Sequence, residues 1–146
     1  MTHPLLRRHR KVALDSNVLI YLLEGSAELG DKCASLLDAL AAGDGEGVMS
    51  TLAVAEICGR PARLGNLALV DRYADELASL ENIALVPLSR NIAVEAAVIR
   101  GASALSMTDA IHLATAQEAG ATAFVTNDQR IKSLKGLEVK YLAEIP

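Results

Sequence analysis

Four acidic residues stand where a chain could use carboxylates for chemistry. Asp15 follows a short apolar run, Glu56 lies in an otherwise apolar stretch, and Asp109 and Asp128 lie near the two ends of residues 108–128. Two carboxylates about 5 Å apart repel by roughly 3 kcal/mol at an effective dielectric constant near 20, so a cluster of them must hold protons or bind a cation. Oxygen ligands without a His or Cys cluster select Mg²⁺ or Mn²⁺, which can orient a water against a phosphodiester.

The stretch at residues 108–128 indicates how two of these acids meet. Thr108 can cap a helix, and the positive end of that helix favours Asp109 in the first turn. Gly120 can end the helix in a left-handed conformation, and the apolar run at residues 123–125 predicts a buried strand. The helix and the strand after it run in opposite directions, so the end of the strand lies near the start of the helix. We therefore expect Asp109 and Asp128 at the same edge of a sheet.

The other two acids follow earlier strands. Residues 11–14 predict a strand that ends at Asp15, and residues 47–49 predict a second strand, followed by a helix that contains Glu56 about one turn from its start. Glu56 alone could equally be a solvated helix residue. The carboxyl ends of parallel strands form one edge, where ligand crevices lie, so we expect all four acids there.

The whole chain predicts a single α/β domain. It has 146 residues, of which 51% are hydrophobic and only 3% aromatic, so Ala, Leu, Val and Ile must build the core. Strands separated by one or two helices imply right-handed crossovers. We therefore predict a mostly parallel central sheet of four to five strands with helices on both faces.

Composition limits the function and the setting of the protein. The net charge of −4 argues against a general nucleic-acid coat protein, and the few aromatic residues argue against base stacking. Cys33 and Cys58 lack metal-ligand spacing, which indicates reduced thiols. With no long apolar segment and no signal-peptide core, we expect a soluble cytoplasmic protein without a membrane segment.

The start of the chain is basic. Arg7, Arg8, Arg10 and Lys11 are clustered there, so we divide the sequence into a basic N-terminal extension at residues 1–11 and a single α/β domain at residues 12–146. Such an extension is either a solvated terminus or an arm that contacts RNA.

Four stretches of the sequence resemble the PIN-domain family, and within it the VapC-type toxins. They are VALDSNVLIYLL at residues 12–23, STLAVAEI at 50–57, TDAIHLATA at 108–116 and VTND at 125–128. The resemblance spans about residues 12 to 142, with all four acids in order. It implies a Mg²⁺- or Mn²⁺-dependent endoribonuclease, usually a homodimer, that a small antitoxin encoded beside it restrains.

The resemblance also implies roles for individual residues. Asp15 and Asp109 would be the main metal ligands, Asp128 would complete the acidic pocket, and Glu56 would position the attacking water. Thr126 would hold the pocket by hydrogen bonds, and Asn17 would support the turn beside the acids. Two features depart from the family pattern: about ten residues precede the first strand, and Ser16 occupies a position where Thr is common.

Several surrounding residues have open interpretations. His112, one turn after Asp109, is either a base or ligand or a structural histidine. Arg60, Arg63 and Arg130 either hold RNA phosphates or are solvated or paired, and residues 130–134 predict one helical turn. For the partners, we expect an antitoxin Arg against the four acids, in the metal's place, and a homodimer through apolar residues at 36–40 and 67–73.

Two other classes of function compete with the nuclease. A Mg²⁺-dependent phosphotransferase of the haloacid dehalogenase type needs a second Asp two residues after the first, and that position holds Asn17. A catalytically silent PIN-like binding module would use the acids only to dock a basic peptide. A metal-dependent RNA-cleavage assay discriminates among these classes.

Overall fold

One five-stranded sheet forms the centre of the protein. The computed structural model describes residues 2–146, in which the strands are β1 (Lys11–Leu14), β2 (Glu46–Ser50), β3 (Ile83–Val86), β4 (Ala123–Thr126) and β5 (Glu138–Tyr141). Their order is β3-β2-β1-β4-β5, and every neighbouring pair is parallel. This confirms the predicted α/β domain with a parallel sheet.

Helices cover both faces of the sheet. They are α1 (Pro4–Arg8), α2 (Ser16–Leu23), α3 (Ala27–Ala41), α4 (Leu52–Arg63), α5 (Leu67–Ala78), α6 (Arg90–Gly101) and α7 (Met107–Glu118). Because successive strand residues point to opposite faces, Leu14 packs with the helices of the first half of the chain, whereas Ala13 packs with α6 and α7. No helix within residues 2–146 is both long and apolar enough to cross a membrane.

The order of the strands creates a crevice between β1 and β4. The chain proceeds from β1 outward to β2 and β3, after which α6 and α7 lead it back to β4 on the other side of β1. Connections that leave neighbouring strands in opposite directions open a gap at the carboxyl ends of those strands. Asp15 follows β1 directly and Thr126 ends β4, so both lie at this gap.

The cap of α7 lies two residues earlier than predicted. Ser106, not Thr108, caps the helix, because the Ser106 hydroxyl accepts a hydrogen bond from the backbone N–H of Asp109 at 3.2 Å. Asp109 still lies in the first turn, where the helix dipole favours a carboxylate. Gly120 follows the helix with φ of +80°, as predicted.

The N-terminal segment is packed, so the interpretation as a solvated terminus is wrong for its apolar residues. Leu5 and Leu6 of α1 are 6% and 1% exposed and belong to the same core as Leu14. His9 is also buried, with Nδ1 2.9 Å from the Thr122 hydroxyl. Burying each leucine stabilises the fold by about 1.5–3 kcal/mol, which holds α1 against the edge where the strands begin. A domain boundary at residue 11 stays a prediction.

Both cysteines are free and buried. Burial raises the pKa of the Cys33 thiol to about 12, and burial together with Asp71 raises that of Cys58. Since the thiolate is the reactive form, neither thiol is activated in the folded protein.

Candidate functional site

The carboxyl end of the sheet, with Asp15, Glu56, Asp109 and Asp128, is called the acidic edge. Asp15 is the most buried of these four acids and is held by hydrogen bonds. Its side chain caps α2, with Oδ1 accepting a hydrogen bond from the Ser16 backbone N–H at 2.8 Å and Oδ2 accepting one from the Thr126 hydroxyl at 2.7 Å. The residue is only 4% exposed. Burial raises the pKa of Asp15, although the charge of His112 and the two hydrogen bonds oppose that shift. The carboxylate is thus held in one orientation, and its charge is only partly balanced.

Thr126 joins the ends of β1 and β4. It is fully buried, and besides donating to Asp15 its hydroxyl accepts hydrogen bonds from the Asp128 backbone N–H at 3.1 Å and from Asn17 Nδ2 at 3.3 Å. Asn17 Oδ1 accepts in turn from the Asn127 backbone N–H at 3.3 Å. These are the contacts that supporting roles for Thr126 and Asn17 require.

Glu56 and His112 form a pair beside Asp15. His112 Nε2 hydrogen-bonds Glu56 Oε1 and lies 3.9 Å from Asp15 Oδ1. The His112 residue is 2% exposed, and its Nδ1 has no hydrogen-bond partner within residues 2–146, whereas the Glu56 side chain is 32% exposed. The Ser16 side chain lies beside Glu56 and helps to lower the pKa of its carboxyl. Glu56 is therefore held at the edge and is not a freely solvated helix residue.

The electrostatics favour an ion pair. Burial alone lowers the pKa of His112, but the hydrogen bond to Glu56 and the charges of Asp15, Glu56 and Asp109 outweigh it and raise the pKa above its usual value. Burial alone raises the pKa of Glu56, but the hydrogen bond and charge of His112 and the hydrogen bond of Ser16 outweigh it and lower the pKa. The sequence left the role of His112 open, and the structure places it among three acids. The three-residue spacing of Asp109 and His112 on α7 was the available signal.

The pair predicts a defined pH dependence of stability in metal-free buffer. The His112 contribution is complete below its ordinary pKa of 6.5 and is lost as pH rises through the raised folded value. The Glu56 contribution is complete above its ordinary pKa of 4.5 and is lost as pH falls through the lowered folded value. We expect His112→Gln to cost roughly 1–2 kcal/mol of unfolding free energy near pH 6 and less at pH 9, measured by urea unfolding.

Glu56→Gln is the matched variant for this experiment. The coupling energy of a His112 and Glu56 double-mutant cycle should shrink between pH 6 and pH 9, because His112 loses its charge. Equal costs at both pH values would show that the pair does not carry a charge in the folded protein.

Asp128 is paired with Arg130 in the loop after β4. Arg130 Nε donates to Asp128 Oδ1 at 3.0 Å and Nη2 donates to Oδ2 at 2.7 Å, while the Arg130 backbone N–H also donates to Oδ1 at 3.0 Å. The hydrogen bond from Arg130 lowers the pKa of Asp128, with burial opposing the shift. The helical turn predicted at residues 130–134 is wrong: Leu134 instead forms an antiparallel bridge with Leu137.

Asp109 completes the acidic edge from the first turn of α7. Its charge acts on both His112 and Arg130, so it lies near both pairs. Arg60 is occupied elsewhere, because its Nη1 lies 3.0 Å from Glu24 Oε1, whereas Arg63 is an exposed residue at the end of α4. The four acids are thus gathered at one edge, with His112 and Arg130 as the cations beside them.

The donor set fits a hard divalent cation in its chemistry. Asp15, Asp109 and Asp128 supply only carboxylate oxygens, the ligands that Mg²⁺ and Mn²⁺ prefer. Among residues 2–146, however, no three His, Cys, Asp or Glu side chains converge to a metal-binding geometry. At the same edge, Arg130 pairs with Asp128 and His112 pairs with Glu56.

Comparisons with known proteins agree with this architecture. The family model of the PIN domain matches residues 12–137. The fold resembles that of DNA-bound VapBC from Salmonella typhimurium, with a TM-score of 0.72 and 14% identity, covering 90% of this chain and 98% of that chain. It also resembles that of VapBC2 from Rickettsia felis bound to a promoter DNA fragment, with a TM-score of 0.70 and 16% identity, covering 90% of this chain and 98% of that chain. A third similar structure is a toxin–antitoxin complex from Klebsiella pneumoniae, with a TM-score of 0.64 and 20% identity, covering 86% of this chain and 94% of that chain.

No curated protein sequence matches the chain. At these identities the structural likeness shows the fold alone, whereas the family model covers the stretch from β1 to the residue before β5, including all four acids. The chain belongs to the PIN-domain family.

Proposed function

We propose that this protein is a metal-dependent endoribonuclease that acts as the toxin of a toxin–antitoxin pair. The observation that carries the proposal is the buried Asp15 carboxylate, held by Ser16 and Thr126 at the crevice between β1 and β4. Glu56 acts on Asp15 directly, while Asp109 acts on His112 and Asp128 pairs with Arg130 at the same edge. A protein keeps a buried carboxylate whose charge is only partly balanced at a cost in stability, which is typical of a functional site.

In this proposal Asp15, Asp109 and Asp128 hold Mg²⁺ or Mn²⁺. When bound, the ion supplies positive charge that stabilises a phosphodiester in the transition state and lowers the pKa of water. The ordinary pKa of a Glu is already acidic and that of Glu56 is lowered further, so Glu56 is ionised at neutral pH and its free lone pairs can accept a hydrogen bond from the attacking water. His112 holds Glu56 in position, and Thr126 holds Asp15.

RNA would be bound mainly through its phosphates. The chain has only 3% aromatic residues, so it lacks the rings on which sequence-reading modules stack bases. The net charge of −4 leaves phosphate binding to local cations, of which Arg63 on α4 and Arg130 after β4 are exposed. Such contacts position the RNA, and base selectivity must come from the shape of the crevice.

The proposed partner is a small antitoxin that inserts an Arg against Asp15, Glu56, Asp109 and Asp128. Support comes from the acids themselves, which already attract His112 and Arg130, and from the structural neighbours, which are described as a toxin–antitoxin complex and as VapBC complexes. A guanidinium matches a carboxylate through two parallel hydrogen bonds. An RNA substrate and an antitoxin partner together lead us to propose that the protein acts in the cytoplasm.

The homodimer stays a prediction, and one of its surfaces is corrected. Leu36 and Leu40 are fully buried in the core and cannot pair with a second chain, so only the partly buried Leu37 and Ala39 remain available among the apolar residues at 36–40. Leu67, in contrast, is 68% exposed, and Leu64 before it is 75% exposed. An interface in the first half would therefore use the turn between α4 and α5.

A cleavage assay on total RNA tests the proposed function. The purified chain, freed of any partner, is incubated with Mg²⁺, with Mn²⁺ or with a chelator, and the new RNA ends are mapped. We expect discrete ends with either metal and none with the chelator. RNA that stays intact under all conditions, with retained binding of basic peptides, would favour the silent binding module. Turnover of small phosphate esters alone would favour the phosphotransferase.

A further inference from the structure

The guanidinium of Arg130 occupies both carboxylate oxygens of Asp128. The two hydrogen bonds measure 3.0 Å to Oδ1 and 2.7 Å to Oδ2, the fork geometry in which Arg binds a carboxylate bidentately. The Arg130 backbone N–H adds a third contact to Oδ1 at 3.0 Å. Donors from its own loop therefore already take most of the lone pairs of the Asp128 carboxylate.

The Arg130 guanidinium can leave Asp128 easily. The Arg130 side chain is 80% exposed and the Asp128 side chain is 20% exposed, so the guanidinium can leave for solvent while the carboxylate stays at the crevice. Arg130 follows β4 in a segment without helix or strand, and its only ion pair within residues 2–146 is the one with Asp128. An exposed ion pair of this kind contributes little free energy, so breaking it changes a binding constant by only a small factor.

We propose that Arg130 is an internal competitor for the divalent cation, pairing with Asp128 in the metal-free protein and being displaced when the ion binds. The inference rests on the proposed function, since it takes Asp128 as a metal ligand. Arg130 Nε and Nη2 each take a lone pair of the Asp128 carboxylate, and a divalent cation on that carboxylate would also meet the positive guanidinium at close range. Loss of the Arg130 pair is therefore coupled to binding of the ion, and this coupling lowers the observed metal affinity.

Removal of Arg130 should therefore tighten metal binding. The probe is Mn²⁺, and its binding to the metal-free full chain is followed by electron paramagnetic resonance of the unbound ion. We expect Arg130→Gln to lower the Mn²⁺ dissociation constant about threefold relative to the unchanged chain, within the range that exposed ion pairs span. Arg130 is exposed, so this variant should fold.

Lys132→Gln is the matched control. It removes one positive charge two residues further along the same exposed loop, from a side chain whose Nζ lies 5.9 Å from the centre of the Tyr141 ring rather than on Asp128. General attraction of Mn²⁺ by a more negative surface would affect both variants alike. In an Asp128→Asn background, Arg130→Gln should have no more effect than Lys132→Gln.

The outcomes separate this inference from the proposed function. If the unchanged chain binds Mn²⁺ and Arg130→Gln binds it equally well or more weakly, the competition is refuted, and Arg130 serves RNA binding or supports Asp128. An effect no larger than that of Lys132→Gln would refute it as well. If the unchanged chain neither binds Mn²⁺ nor cleaves RNA, the proposed function itself fails.

Discussion

Asp15→Asn is expected to lower the rate of RNA cleavage at least a hundredfold while leaving the protein folded. The change keeps the shape of the side chain and an oxygen that can accept from the Ser16 backbone N–H, but it removes the charge of the most buried acid of the site. Loss of a single preorganised electrostatic group in an active site costs about 10²–10³ in rate. The measurement is the initial rate on a defined RNA under saturating Mn²⁺.

Stability distinguishes a catalytic effect from a folding effect. Burial raises the pKa of Asp15, so its ionised form is disfavoured in the fold, and a neutral amide removes that cost. We expect the melting temperature in metal-free buffer to hold or to rise. Asp38→Asn, an exposed acid near the end of α3, is the control and should change neither property. A full cleavage rate in Asp15→Asn would remove Asp15 from the mechanism.

The affinity of the proposed antitoxin should fall steeply as divalent metal rises. If its Arg and the ion compete for the same carboxylates, metal at a hundred times its dissociation constant weakens the partner about a hundredfold. By linkage the complex must bind the ion more weakly by the same factor. Calorimetric titration of the proposed antitoxin against this chain, repeated across Mg²⁺ concentrations, measures directly how the partner affinity changes with the metal.

Screening must be separated from competition in that titration. The control replaces Mg²⁺ with NaCl at equal ionic strength, because screening alone weakens any exposed ion pair. A partner affinity that follows ionic strength but not Mg²⁺, with cleavage still blocked, would contradict competition. The inhibitor would then cover the path of the RNA or distort the enzyme without entering the acidic edge.

The sheet and the backbone positions of the acids could be predicted because they follow local rules. Residues 12–14 and 123–125 are short apolar runs between polar residues, and they form most of β1 and most of β4. The helix before β4 could be inferred from a capping residue and Asp109 at its start and from Gly120 at its end. Parallel strands then bring Asp15 and Asp128 to one edge, whatever the details of side-chain packing.

The partners of the acids could not be predicted in the same way. Glu56 and His112 are 56 residues apart in the sequence, and their pairing depends on how α4 and α7 approach each other across the crevice. The pairing of Asp128 with Arg130 is local, but the sequence equally permitted a helical turn there. Leu5 and Leu6 precede a run of charged residues, so the sequence did not indicate that they are buried. Their burial depends on packing into the core beside β1.

Binding of Mn²⁺ to the metal-free chain and to Asp15→Asn tests most directly whether the acidic edge is a metal centre. We expect the unchanged chain to bind Mn²⁺ and to release it when Mg²⁺ is added. Asp15→Asn should bind Mn²⁺ at least about tenfold more weakly, since even outer-shell groups of metal sites change affinity by 10–100-fold. Equal Mn²⁺ binding by the two proteins would contradict the account, because the metal would then lie somewhere other than beside Asp15.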